Sequence, residues 1–117
     1  MTDIQRVPGK IKHRCWGSAY KDLVYAVGMT DDFSIPFREQ AERSFKHLDA
    51  VLAEAHTDKA RILSATVLLA DIGNKSEFDE MWAEWVGEDP QAWPQRTCHG
   101  VDLAANNQVE ILVVAAR

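Results

Sequence analysis

The sequence predicts an α+β domain spanning 1–117, with a mixed β-sheet covered on one face by two helices. Three observations carry that reading. Two segments have apolar residues recurring at helical spacing, and runs rich in β-branched and aromatic residues lie before, between and after them. The resulting order is β-β-α-β-α-β-β, in which two helices suffice to cover one face of a sheet of about four to six strands. The chain has 117 residues, 46% of them hydrophobic, which suits one domain with its own core and is too short for two ordinary ones.

Residues 11–28 read as extended backbone, because Leu23-Val24-Tyr25-Ala26-Val27 is β-branched and aromatic and ends at Gly28. Asp31, Asp32 and Ser34 mark a turn. The first helix is expected from Pro36, whose missing N–H costs nothing in a first turn. Phe37, Ala41, Phe45, Leu48, Val51, Leu52 and Ala55 form its apolar stripe, charged residues from Arg38 to Glu54 form its other face, and it should stop near His56-Thr57-Asp58. Residues 62–71 form the next strand. Ser76-Glu77-Phe78-Asp79 reads as a capping box, with Asp79 in the reciprocal position. The helix behind it puts Phe78, Met81, Trp82, Trp85 and Val86 on one stripe and ends at Gly87. After a proline-bearing loop, 95–103 and 108–115 read as two strands turning at Ala104-Ala105-Asn106-Asn107, an antiparallel hairpin.

The strands at 62–71 and 108–116 are apolar at both parities, so both faces need cover. Two helices cover one face, and a second subunit is the simplest cover for the other. A homo-oligomer is therefore expected from pattern alone; the alternative is small Ala and Val side chains on a half-wet sheet.

Net charge is −5, from 13 basic and 18 acidic residues, and an acidic chain repels a phosphate backbone unless it carries a local basic patch. Only Lys10, Lys12, His13 and Arg14, and Lys59 with Arg61, offer thin candidates, so no nucleic-acid partner is expected. No run approaches the ~20 apolar residues of a membrane span, and residues 1–12 lack the apolar stretch of a secretory signal. No membrane association and a cytoplasmic location follow as expectations. Cys15 and Cys98 form no CxxC motif and read as free thiols.

Among the residues able to carry chemistry, Arg96 stands out. It opens a strand after Pro94 and shares a face with Cys98 and Gly100. Its planar fork matches a carboxylate bidentately; the alternatives are an exposed strand-end arginine or one paired with a structural acid. Glu110 interrupts the last apolar strand, where a carboxylate is costly unless it is bonded or lies at the mouth of a site. In the expected hairpin it neighbours the Arg96 strand, as a general acid or base or as the salt-bridge partner of Arg96 or another basic residue. Cys98 reads as a buried, inert thiol rather than a nucleophile, since His99 points to the opposite face. His13 and Cys15 would share a strand face, but no spacing resembles a metal site. Trp82 and Trp85 read as core, whereas Trp16 and Trp93 lie outside the helices and are free to line a pocket or an interface.

Pro94-Gln95-Arg96-Thr97-Cys98 followed by Val109-Glu110-Ile111 resembles the C-terminal signature of the YjgF/Rid family, Pro-x-Arg-[Ser/Thr]-Cys and then Val-Glu-Ile. Gln40, Leu52-Ala53-Glu54-Ala55, Leu69-Ala70-Asp71 and the Trp82–Trp85 pair match further family features in order. The resemblance covers residues from about 20 to 117, and 57–86 looks closest to a short YoaB-like branch. It implies a chorismate-mutase-like fold and a trimer with a site at each subunit interface. It also implies a hydrolase acting on C–N bonds, a deaminase converting reactive enamines and imines such as 2-aminoacrylate to keto acid and ammonia. In that reading Arg96 clamps the substrate carboxylate and Glu110 positions the attacking water. Cys98 lines the pocket, and Gly28, Asp79 and Trp16 complete the substrate-binding set; no cofactor or metal is implied. The chain departs from the family pattern in three places. Val27 stands where many deaminases have Ser, Asp79 stands where Asn is common, and the N-terminal Tyr has no clear match beyond Trp16 or Tyr20. The Val27 and Asp79 departures support a rival reading, a non-catalytic trimeric module that binds a small carboxylate or another protein. RNA cleavage, a third reading, sits badly with the acidic balance and the lack of a His pair.

Overall fold

The computed structural model describes residues 3–117. Among them, six strands form one sheet: β1 (Gln5–Pro8), β2 (Cys15–Tyr20), β3 (Leu23–Met29), β4 (Ile62–Leu69), β5 (Gln95–Gly100) and β6 (Val109–Ala116). The helices are α1 (Phe37–Glu54) and α2 (Lys75–Val86). The strand order across the sheet is β1-β2-β3-β6-β4-β5. Only β4 and β5 pair in parallel, as expected when α2 connects them; the other neighbours are antiparallel.

The α+β class, the mixed sheet and the two helices are as predicted, with two corrections to the strands. The chain begins with an extra strand, β1, and residues 11–14 form a turn in which His13 has φ 75°. A segment with Val7 as its one buried residue and Pro8 at its end carries no strand-like run, yet suits a sheet edge. The expected hairpin of the last two strands does not form. β6 enters between β3 and β4, and β5 lies outside β4. The physical reason is polarity. β6 (VEILVVAA) is the more apolar and takes the doubly paired centre, while β5 (QRTCHG) tolerates an edge.

Close packing of α1 on the sheet relies on small residues beneath it. A Cβ at Gly28 would come within 2.6 Å of the Ser44 carbonyl oxygen, and one at Gly17 within 2.8 Å of Val51 Cγ1. The core lies between sheet and helices: Val24, Ala26, Val67, Leu69, Ile111 and Val113 from the strands meet Leu48, Leu52 and Phe78 from the helices. On the other face the strands present Tyr25, Val27, Leu112 and Val114 beside Ser64 and Thr66, and these line a shallow concavity. Tyr25 is 51% exposed and Leu112 is 37% exposed. The parity pattern thus marks one buried face and one uncovered apolar face.

α2 starts differently from the expected capping box. Asp71 accepts a hydrogen bond from the Gly73 amide at 2.8 Å and closes a 3₁₀ turn over Ile72–Asn74, so the helix is entered at Lys75 and Ser76 lies inside it. That releases Asp79 from capping. Gly87, at φ 78°, ends the helix where predicted.

The route of the chain into β6 is held by one buried side chain. Gln40 on α1 is 1% exposed. Its Nε2 donates to the carbonyls of Ile35 and Asn106, each at 3.0 Å, and its Oε1 accepts from the Gln108 amide at 2.9 Å. Replacing Gln40 with Leu keeps the volume and leaves a part-buried set of three backbone groups without their side-chain partner. We predict a loss of about 3 kcal/mol in unfolding free energy, read as a lower urea midpoint at unchanged slope.

Candidate functional site

Arg96, near the start of the edge strand β5, lies beside Ala65 of β4, which lies beside Val113 of β6. Both neighbours are buried under the helices, so Arg96 points to the helix side, toward α2. There its guanidinium carbon sits 5.1 Å from the centroid of the Trp82 ring and 5.7 Å from that of Phe78, within cation–π range. Nη2 donates to Asp79 Oδ1 at 2.6 Å, and Lys75 Nζ donates to the other Asp79 oxygen at 2.7 Å. Asp79 is therefore the acid that partners Arg96, one of the alternatives open at the sequence level. Burial works against the Asp79 charge, but the hydrogen bonds and positive charges of Lys75 and Arg96 outweigh it and hold its carboxyl below the usual range. Arg96 makes no other hydrogen bond among the described residues. Its side chain is 17% exposed, against 38% for Asp79.

Cys98 follows on the same face, packed against the core. Burial pushes its thiol up, and the charges of Arg96 and Lys75 only partly oppose that, which disfavours the nucleophilic thiolate. His99 points to the opposite face, as expected from alternation.

Glu110 is not on the strand next to Arg96, because β4 separates them. It lies beside Leu68 of β4 and Met29 of β3, on the uncovered face of the sheet, whereas Arg96 is on the helix face. The alternative of a salt bridge between the two is thereby excluded within one chain. Glu110 Oε1 instead accepts from Asn107 Nδ2 at 3.0 Å. Asn107 itself is buried, at 3% exposed.

Gly28 is on β3, three strands from β5, about 14 Å at ordinary strand spacing. Trp16 is on β2, one strand further. Its ring packs edge-on against His47 of α1, with centroids 4.6 Å apart. His47 Nδ1 accepts the Met29 amide at 3.2 Å. These groups border a cleft lined also by Lys10, Phe33, Arg43 and Lys46. Trp93 is exposed, and its indole donates to the Gly87 carbonyl at 2.8 Å.

Of the six predicted site residues, one chain brings together Arg96, Cys98 and Asp79, and leaves Glu110, Gly28 and Trp16 apart from them. Lys75 and His47 were not among the predicted set. The i,i+4 spacing of Lys75 and Asp79 is a sequence signal that pairs them. His47 bears no such signal, since only the fold brings it to the Met29 amide. Among the described residues no cluster of His, Cys, Asp and Glu suits a metal ion, and no helix is long and apolar enough to cross a membrane.

A mixed sheet backed by two helices, with an arginine backed by aromatic rings at its edge, defines a chorismate-mutase-like α+β protein with a candidate anion site. The family model for Endoribonuclease L-PSP, the YjgF/Rid family, matches residues 21–117, and the chain belongs to that family. It is 36% identical over 99 residues to a RutC family protein of Haemophilus ducreyi, covering 83% of each chain. It is 28% identical over 99 residues to the RutC family protein YoaB of Escherichia coli, covering 83% of this chain and 84% of that one. A putative reactive intermediate deaminase of Escherichia coli, TdcF, is 24% identical over 122 residues, covering 98% of this chain and 95% of TdcF. The crystal structure of E. coli TdcF with bound serine superposes with a TM-score of 0.84 at 23% identity, covering 100% of this chain and 99% of that one, and shares the fold. Membership supports a Rid-type reactive-intermediate deaminase role or a related YjgF role.

The His47 site generates a pH prediction. Burial lowers the pKa of His47 from its ordinary 6.5, and the charge of Asp31 only partly opposes it. A depressed histidine favours the fold while neutral, and its contribution is lost as pH falls below 6.5 toward the folded value. Urea midpoints measured from pH 8 down to pH 5 should therefore fall less steeply in His47→Gln than in the wild type.

Proposed function

We propose that this chain is an imine/enamine deaminase whose site forms between subunits of a closed homo-oligomer, a trimer. The reaction adds water to the C=N carbon of a 2-imino acid and expels ammonia, leaving the 2-keto acid. The observation that carries the reading is Arg96. It is a largely buried guanidinium set on two aromatic rings, with one donor committed to Asp79 and the others unbonded among the described residues. Such a fork suits the carboxylate that every 2-imino acid presents. Holding the substrate by that group and placing a water against its electrophilic carbon is most of what the chemistry asks.

Two observations support an interface site. The uncovered face carrying Tyr25, Val27, Leu112 and Val114 calls for a partner sheet. Glu110 and Trp16 lie apart from Arg96 within one chain, and a neighbouring subunit docked at the exposed edge of β5 would bring its own copies of them there; Gly28, packed under α1, is not part of such a face. The chemistry proposed needs no cofactor.

The second reading, a carboxylate-binding module without turnover, is favoured by the ion pair that already engages Arg96. Imines generated in situ from L-amino acids by an amino-acid oxidase, with the remainder trapped by semicarbazide, separate the two. We predict that the wild type clears imine and that Arg96→Ala loses at least about 30-fold of that activity. A folded wild type that leaves the imine pool untouched would favour the module. For assembly, we predict that the wild type sediments as a trimer and that Leu112→Lys sediments as smaller species. An unchanged sedimentation coefficient in the variant would rule out this face as the interface.

A further inference from the structure

We propose that Asp79 is a specificity-determining carboxylate that sets the anion site to one net positive charge, so that the site accepts substrates with a single carboxylate and rejects dicarboxylates. The inference rests on the reading that Arg96 receives the substrate carboxylate.

The argument begins with α2. Lys75 and Asp79 are one helical turn apart and share a face, and the start of β5 brings Arg96 against the same carboxylate. Each Asp79 oxygen is held separately, Oδ2 by Lys75 Nζ at 2.7 Å and Oδ1 by Arg96 Nη2 at 2.6 Å. Two cations sharing one carboxylate leave one positive charge unmatched. The nearby Arg38 does not add to it, because it is paired with Glu77 at 3.3 Å and Glu42 at 3.6 Å. The rings of Phe78 and Trp82 flank the guanidinium at 5.7 and 5.1 Å and bring no charge of their own.

A monocarboxylate arriving at Arg96 neutralises the cluster. A second carboxylate on the same ligand finds no unspent cation and lies within a few ångströms of the Asp79 charge. Asp79 is 38% exposed and Arg96 17%, so the repulsion acts at short range and solvent and salt screen it in part. The same geometry gives Lys75 a role at one remove: by neutralising part of the Asp79 charge it keeps Arg96 available to the ligand. Asp79 thus acts against the wrong substrate rather than for the right one.

The test uses ligand pairs differing by one carboxylate. Tryptophan fluorescence, to which Trp82 beside Arg96 contributes with the three other tryptophans, is titrated with 2-oxobutyrate and 2-oxoglutarate on the full chain and on its Asp79→Asn and Lys75→Gln variants. Clearance of a monocarboxylic imine from L-amino-acid oxidase and a dicarboxylic imine from L-aspartate oxidase is followed in parallel. The wild type should prefer the monocarboxylate, and Asp79→Asn should shift the ratio of affinities toward the dicarboxylate by about tenfold. Lys75→Gln, which leaves the cluster neutral, should weaken the monocarboxylate and serves if Asp79→Asn does not fold. Equal binding of both ligands by the wild type, no binding of either, or an unchanged ratio in the variants would overturn the inference. If the ratio shifts but the wild type clears no imine, the deaminase reading fails and the charge selection stands. If imine is cleared and the ratio does not move, the charge selection fails and the deaminase reading stands.

Discussion

The insertion of β6 between β3 and β4 is the constraint on which the other features of this molecule depend. It requires the chain to leave the β5 edge, cross the end of β4 and enter the middle of the sheet, and the buried amide of Gln40 holds that crossing. Once β6 is central, β5 has only β4 as a partner, and Arg96 comes to the edge of the sheet rather than its interior. Once Gln40 is spent on backbone groups, α1 is fixed at a close approach over Gly17 and Gly28, which sets the spacing of the whole helix layer.

The edge position also explains why a guanidinium is tolerated there. A fully enclosed arginine would be expensive even with a partner. At the open side of β5 the group keeps a path to solvent, while Phe78 and Trp82 fix its plane and Asp79 fixes one of its corners. Aromatic residues that read as plain core stripe from the periodicity of α2 therefore do two things: one side packs on Phe45, the other carries a cation.

A single subunit holds only part of the predicted site. The proposed anion-binding end, Arg96, is on the helix face of β5, while Glu110 is on the uncovered face and Gly28 and Trp16 are on the far strands. The same strand alternation that puts Arg96 and Glu110 on opposite faces leaves Tyr25 and Leu112 without cover. The association proposed above would answer both needs at once, burying the apolar face and bringing a second set of side chains to the β5 edge.

Much of this was legible in the residues. The apolar period of Phe37 to Ala55 and of Phe78 to Val86 specifies two helices because only one face of each can be buried. Gly87 specifies a stop because few other residues accept its φ. The Pro94-to-Cys98 motif with Val109-Glu110-Ile111 pointed to the family. Pairing was not legible in the same way. Adjacent strands with an Asn-rich turn between them read as a hairpin, and nothing local in 95–116 says that β6 pairs with β3 and β4 instead. Likewise Asp79 reads as a helix cap until the fold brings Arg96 to it. Sequence alone determined which segments are helix and strand and which face of each is apolar, because those preferences act between near neighbours. Tertiary structure decided strand order, and with it which charges meet, because those contacts join residues far apart in the chain and are selected only when the whole sheet closes its core.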